Sequence, residues 1–274
     1  MFNPQMMDKA RERATQLNHA RQIVRNNQIR PSYQPKVNLA TGAIVGFEAL
    51  LRWYCPQNGI QTPDSVCEAF NDYELATKIG ETMQMKVFAD ISAWLASGAE
   101  VLPVSLNASP IEFLRDSYAE TFLQRLQMFN IPHHLIELEV TEHAFNKHGS
   151  KYVLRALQML KEMGIRIALD DFGTGHSSFT QLMNYPLDCI KLDRDFIRRM
   201  NNETAILGIV ESMGILGQKL SIDIIAEGIE TEQQRQTLCN SGYHLGQGFL
   251  FSQAVEAPRA LSMLLKRPAP KITA

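Results

Sequence analysis

Two adjacent aspartates, Asp170 and Asp171, follow the apolar run Ile167-Ala168-Leu169 and precede Phe172-Gly173-Thr174-Gly175, a loop with two glycines. Strand side chains alternate in direction, so neighbouring carboxylates share a site only where a strand ends and the backbone turns. Asp and Gly also build ordinary turns. A turn does not, however, require two like charges directly after a buried run. Bound cations relieve that repulsion, and hard divalent ions prefer carboxylate oxygen. The stretch therefore points to metal chemistry, for which other parts of the chain must supply more ligands.

Further candidates stand at the ends of other apolar runs. Glu48 lies in one, followed by Arg52, and Asn107 ends Val104-Ser105-Leu106. Glu139 and Glu142 close Glu137-Leu138-Glu139-Val140-Thr141-Glu142, and Lys191 and Asp193 close Ile190-Lys191-Leu192-Asp193. Glu227 and Glu230 follow Ile225-Ala226, and Gln247 opens the last run. Each has an ordinary alternative. Glu48 would need a buried cation, for which Arg52 is available. Asn107 is a common helix cap, Lys191 can snorkel to water, and Glu227 suits the first turn of a helix. Their recurrence on consecutive runs is the stronger signal.

The elements that carry these residues alternate between strand-like and helix-like patterns. Strands are expected at 32–37, 44–51, 101–106, 135–140, 165–169, 189–192, 222–226 and 246–251. Helices are expected at 65–80, 81–97, 111–129, 150–163, 203–216 and 232–241, after a polar helix near 7–28. The first two strands are too close for a crossover and form an antiparallel hairpin turning at Thr41-Gly42. The remainder reads as a largely parallel α/β sheet. In an open sheet, strands about 4.8 Å apart would spread six strand ends over about 24 Å. Closing the sheet into a barrel brings every C-terminal strand end to one rim.

A length of 274 residues suits one such barrel. The apolar fraction of 45% and charged fraction of 20% are those of a soluble globular protein. A formal net charge of -2 argues against binding nucleic acid polymers, but not against a small anionic nucleotide held by metals. Cys55, Cys67, Cys189 and Cys239 lack zinc or disulfide spacing. No run approaches the ~20 apolar residues of a membrane span. The expectation is a cytoplasmic protein with no membrane insertion.

Glu48-Ala49-Leu50-Leu51-Arg52-Trp53 resembles the signature of EAL domains, bacterial phosphodiesterases acting on cyclic di-GMP. Tyr33-Gln34-Pro35-Lys36-Val37, Asn107-Ala108-Ser109, Glu139-Val140-Thr141-Glu142, Asp170-Asp171-Phe172-Gly173-Thr174-Gly175, Lys191-Leu192-Asp193, Ala226-Glu227-Gly228-Ile229-Glu230-Thr231 and Gln247-Gly248-Phe249 are similar, in order, to further motifs of that family. The resemblance implies a modified TIM (β/α)8 barrel with an antiparallel first strand, at residues 17–265. Residues 1–16 are then a helical extension or linker and 266–274 a tail.

It also implies two Mg²⁺ or Mn²⁺ ions. Glu48, Asn107, Glu139 and Asp170 match the first metal's ligands, and Asp170, Asp171 and Glu227 the group around the second metal and the attacking water. Lys191 matches the lysine that holds that water, with Glu227 and Glu48 beside it in the catalytic group. Gln34, Arg52, Gln247 and Asp193 are assigned to the substrate side. Glu142 is implied to anchor the loop after the aspartate pair, and Glu230 to support the site. His176 stands where the family often has Tyr. The expected activity is hydrolysis of cyclic di-GMP to linear pGpG by a homodimer. The rival readings are a receptor that binds without cutting and a catalytically silent scaffold.

Overall fold

The computed structural model describes residues 4–55, 58–145, 150–173 and 185–266. Strands β1 (Ile29–Asn38) and β2 (Ile44–Cys55) pair antiparallel from Ile29–Trp53 to Val37–Ile44, which is the expected hairpin. Its turn is fixed by Asn38, whose Oδ1 accepts from the backbone N–H groups of Ala40 and Thr41 at 3.0 Å each.

From β2 the sheet continues in parallel through β4 (Val104–Ala108), β5 (Ile136–Thr141), β6 (Arg166–Phe172), β7 (Cys189–Leu192), β8 (Asp223–Ala226) and β9 (Leu245–Gly246). Strand β9 then pairs antiparallel with β1, at Val37–Gly246 and Asn38–Leu245, and closes the ring. The result is an eight-stranded barrel in which β1 alone runs against its neighbours. Two short strands lie outside the ring, β3 (Gly59–Gln61) on β2 and β10 (Val255–Glu256) on β1.

Helices α1 (Pro4–Arg25), α2 (Tyr73–Ala96), α3 (Tyr118–Met128), α4 (Ser150–Glu162), α5 (Arg194–Arg199), α6 (Thr204–Leu220), α7 (Glu232–Asn240) and α8 (Ala257–Leu265) complete the described elements. The two faces of each strand divide the labour. Outward residues such as Tyr33, Phe47, Leu106, Leu138 and Leu169 belong to the main core beneath the helices. Tyr33 and Phe47 both pack against Trp94 of α2, with ring centroids 4.9 and 6.3 Å away. The apolar part of the barrel interior is a separate small cluster of Ala168, Cys189 and Ile225 with Leu245. Barrel interiors are usually filled by bulky branched residues; here the space left by small ones holds charged groups.

Several elements differ from expectation, among them the expected helix 111–129, which is a 3₁₀ segment, Pro110–Leu114, followed by α3. The expected helices 65–80 and 81–97 are a 3₁₀ segment, Pro63–Asn71, and one long helix, α2, that passes straight through Gly80. Gly80 does not break the helix. It has no side chain because the buried carboxylate of Glu112 lies where a Cβ would be. Strand β6 does not stop at 169 but runs on to Phe172, through both aspartates. Strand β9 ends at Gly246, so Gln247 follows the last strand instead of opening it; its backbone N–H reaches Ala226 O at 2.9 Å. Helix α1 runs without a break past residue 16, with Leu17, Ala20 and Ile23 packed on the core and Arg13 3.4 Å from Glu68. Among the described residues no helix is long and apolar enough to cross a membrane.

Candidate active site

The strand-end residues converge because each occupies the inward position at the same level of the barrel. Lys191 on β7 is the hub, 1% exposed. Its Nζ lies 2.6 Å from Glu139 Oε2 on β5, 2.8 Å from Glu227 Oε1 after β8, 2.9 Å from Asp170 Oδ1 on β6 and 3.3 Å from Glu48 Oε2 on β2. Four carboxylates from four strands thus meet one ammonium, and burial makes their mutual repulsion strong.

The ionisation of the cluster follows from that imbalance. Burial and the charge of Glu139 raise the pKa of Glu48 from its ordinary value. Burial drives Glu227 up to about 8 against the pull of Lys191, with Asp170 adding to the rise. Burial would raise Glu139 too, but Lys191 and Lys36 reverse it and hold that carboxyl well below its usual value. Lys191 itself is held charged despite burial by Asp170, Glu139, Glu227 and Glu48.

Asp171 joins through an irregularity, not through the end of a strand. The β6–β7 register shifts between Leu169 and Phe172, and Asp171 takes a left-handed conformation with φ 54°. Asp is among the few non-glycine residues that tolerate this region. The bulge breaks the alternation, so the aspartates' carboxylates lie on one site with that of Glu227, one oxygen of each within 4.8 Å of the others. Gly173, at φ 98°, completes the turn against the ring of Phe196.

Glu48 is fixed from two sides. Gln247 Nε2 donates to its Oε2 at 2.7 Å and to Gln34 Oε1 at 3.0 Å, and Asn107 Nδ2 donates to its Oε1 at 3.0 Å. Gln34 Nε2 in turn donates to Ser252 O at 3.1 Å. Gln34 and Gln247 are both buried and line the cavity floor.

The ordinary alternatives can now be weighed. The cation beside Glu48 is Lys191, while Arg52 Nη1 donates to Leu51 O at 2.8 Å and lines the cavity. The helical segment after Asn107 is capped by Ser109, and α7 by Thr231, so neither Asn107 nor Glu227 is used as a cap. Lys191 points inward, away from solvent. Asp193 caps α5, accepting from Asp195 N at 2.9 Å, and lines the cavity together with Glu230. Glu142 is buried at the end of β5. The loop it is implied to anchor, with Thr174, Gly175 and His176, lies outside the described residues.

Sequence reasoning missed a second buried cation, Lys36 on β1. Its Nζ bonds Glu137 Oε1 at 2.7 Å and Glu139 Oε1 at 2.8 Å. Glu137 and Glu139, two apart on one strand, share its inward face; that pair of like charges was the available signal. Glu48, Asn107, Asp170, Asp171, Lys191 and Glu227 line a cavity of about 960 Å³, whose walls include Arg52, Asp64, Pro110, Arg194 and Phe249, while Glu139, Glu137 and Lys36 lie beneath it.

The donor set fits divalent metals. It is all oxygen, as hard ions require. Asp170 Oδ1 is buried and, although near Lys191, accepts no hydrogen bond. An acidic cluster with an incompletely used carboxylate oxygen, at the C-terminal rim of a barrel, defines the class: an α/β barrel with a candidate metal site.

Comparison with known proteins supplies the family. The EAL domain family model matches residues 15–254, and the chain belongs to the EAL domain family. The bifunctional diguanylate cyclase/cyclic di-GMP phosphodiesterase MucR of Pseudomonas aeruginosa is 33% identical over 262 residues, 95% of this chain and 38% of MucR. The oxygen sensor protein DosP of Escherichia coli is 28% identical over 267 residues, 96% of this chain and 33% of DosP. The chain thus spans roughly a third of these relatives. Among solved structures, the PaMucR phosphodiesterase in complex with c-di-GMP superposes with a TM-score of 0.84 at 32% identity, over 90% of this chain and 99% of that one. The EAL enzyme Bd1971, in its cAMP- and cyclic-di-GMP-bound form, gives 0.87 at 28% identity, over 93% and 70%.

Proposed function

We propose that this chain is a metal-dependent phosphodiesterase that hydrolyses cyclic di-GMP to linear pGpG. The observation that carries the reading is the gathering of Glu48, Glu139, Asp170 and Glu227 around Lys191, with Asp171 beside Asp170 and Glu227, at and just beneath the floor of a nucleotide-sized cavity. MucR and its c-di-GMP complex support the choice of substrate.

Glu48, Asn107, Glu139 and Asp170 would hold one Mg²⁺ or Mn²⁺, and Asp170, Asp171 and Glu227 a second. Such ions, when bound, neutralise phosphate charge and acidify water. The chain's own residues do the rest. Lys191 donates to the attacking water and orients it toward phosphorus. Glu227, whose Oε1 lies 2.8 Å from Lys191 Nζ, is the carboxylate placed to receive the water's proton. A P–O bond forms to water, the ring P–O3′ bond breaks, and the freed 3′ oxygen takes up a proton. Arg52 presents a planar fork to a non-bridging phosphate oxygen. Gln34, Gln247 and Asp193 face the substrate side, Gln247 also orienting Glu48, and Glu230 supports the site from the cavity wall.

The proposed assembly is a homodimer through α6, where Ile209 and Ile215 remain 45% and 59% exposed. Sedimentation as a monomer at micromolar concentration with full activity would remove that element. For the activity, the purified chain is incubated with Mg²⁺ and cyclic di-GMP and the nucleotides are separated by ion exchange. The expected product is pGpG. Binding without cleavage over hours would establish the receptor reading instead, and neither binding nor cleavage the scaffold reading.

A further inference from the structure

We infer that Lys36 is a positioning residue that sets the orientation of the Glu139 carboxylate from beneath the site; this rests on the reading that Glu139 is a metal ligand. Lys36 is 5% exposed and Glu139 is fully buried. The two oxygens of Glu139 have different partners: Oε1 meets Lys36 at 2.8 Å and Oε2 meets Lys191 at 2.6 Å. Lys36 therefore holds one oxygen from the deeper side and leaves the other to Lys191.

Lys36 is itself supported from below. Its other partner, Glu137 Oε1, is 2.7 Å away, and Glu137 Oε2 lies 3.3 Å from Arg166 Nε. Arg166 Nη2 donates to Asp223 Oδ2 at 2.7 Å, at the mouth of the barrel opposite the cavity. Charges of alternating sign thus run through the barrel from Asp223 to Lys191. Buried ion pairs of this kind stabilise a fold less than apolar packing of the same volume does. Stability alone does not explain why Lys36 and Glu137 stand among Ala168, Cys189 and Ile225, where branched aliphatics would serve.

The reversed direction of β1 gives this strand its reach. Gln34 and Lys36 share the inward face, Gln34 near the rim and Lys36 a layer deeper. Gln34 bonds Gln247, which holds Glu48, while Lys36 holds Glu139. One face of the antiparallel strand thereby supports two proposed ligands that come from β2 and β5.

The test uses the full chain and two variants, Lys36→Met and the double variant Lys36→Met/Glu137→Gln, which leaves no unpaired buried charge at Glu137. Mn²⁺ binding to the metal-free proteins is titrated by electron paramagnetic resonance, and the Mg²⁺ dependence of cyclic di-GMP hydrolysis is measured beside it. Losing a hydrogen-bond partner of a ligand typically weakens metal binding about 10- to 100-fold. That weakening is expected in both variants, with a parallel rise in the Mg²⁺ needed for half-maximal rate and a smaller effect at saturating Mg²⁺. Removing a positive charge without an orientational role would instead tighten Mn²⁺ binding. Folded variants with unchanged or tighter binding overturn the inference, as does failure of both to fold, which would make Lys36 purely structural. A wild-type chain that binds no Mn²⁺ would defeat the metal reading itself.

Discussion

Glu112 offers a stability test that is independent of metal chemistry. It lies in the 3₁₀ turn Pro110–Leu114, just beyond Asn107, and its Oε1 accepts from Ser109 N at 2.9 Å. It is 5% exposed and packed on Gly80. Burial drives its pKa up to about 8 from 4.5; the Ser109 N–H and Arg125 oppose this and Glu81 adds to it. The folded state therefore keeps a proton that the unfolded chain releases near pH 4.5. Below pH 4.5 both states are protonated and stability is at its full value. Between pH 4.5 and 8 the unfolded state binds fewer protons, so stability falls as pH rises, and above pH 8 it levels off. A shift of about 3.5 units corresponds to a ceiling of about 5 kcal/mol at 1.36 kcal/mol per unit, and local opening to water would reduce it to about 2 kcal/mol. Glu112→Gln preserves the acceptor for Ser109, since Gln serves this position as well as Glu. The expected result, from thermal unfolding in EDTA, is nearly equal midpoints at pH 5. At pH 9 the variant should melt about 4–8 °C higher, on the scale of 2–4 °C per kcal/mol for a chain of about this size. Curves that stay parallel from pH 5 to pH 9 would refute the assignment of a buried, neutral Glu112.

Other expectations concern the site. Lys191→Met should lower turnover by about 10²-fold or more, the scale for a lost water-orienting or acid/base group. It should also destabilise the metal-free protein by about 3–5 kcal/mol, because four carboxylates, three of them buried, lose their shared cation; initial rates and urea unfolding in EDTA check both effects. Calcium should bind yet support little turnover, since its oxygen distances of about 2.3–2.6 Å exceed the 2.0–2.1 Å of magnesium and spread the reacting groups. Competition of Ca²⁺ against Mg²⁺ in the hydrolysis assay decides this, and equal rates with the two ions would contradict a site of that geometry.

The convergence of the candidate residues was legible because strand periodicity is a local property and their recurrence at strand ends implied a closed ring. Acidic and amide residues at successive strand ends could share a site only on a closed ring, and the short Thr41-Gly42 connection required an antiparallel first pair. Long-range contacts were less legible. Gly80 reads as a helix break because nothing nearby in sequence announces Glu112 beside it. The aspartate carboxylates do converge, but not at a strand end as expected: β6 continues through the pair and bulges at Asp171. Lys36 was passed over because attention to strand ends overlooks a residue deeper on a strand that runs the other way. Arg52 was a reasonable partner for Glu48 by proximity in sequence, yet the cation that reaches Glu48 comes from β7, on the far side of the ring.

The central claim is that carboxylates converging from separate strands make this chain a metal-dependent phosphodiesterase. Glu48 tests it most directly, since Gln247, Asn107 and Lys191 all converge on its two oxygens. The measurement is the initial rate of pGpG formation from cyclic di-GMP at saturating Mg²⁺, for the wild-type chain and Glu48→Ala side by side. The account predicts steady pGpG release by the wild type and none above background by the variant, even when the variant remains folded. Equal rates for the two proteins would contradict it.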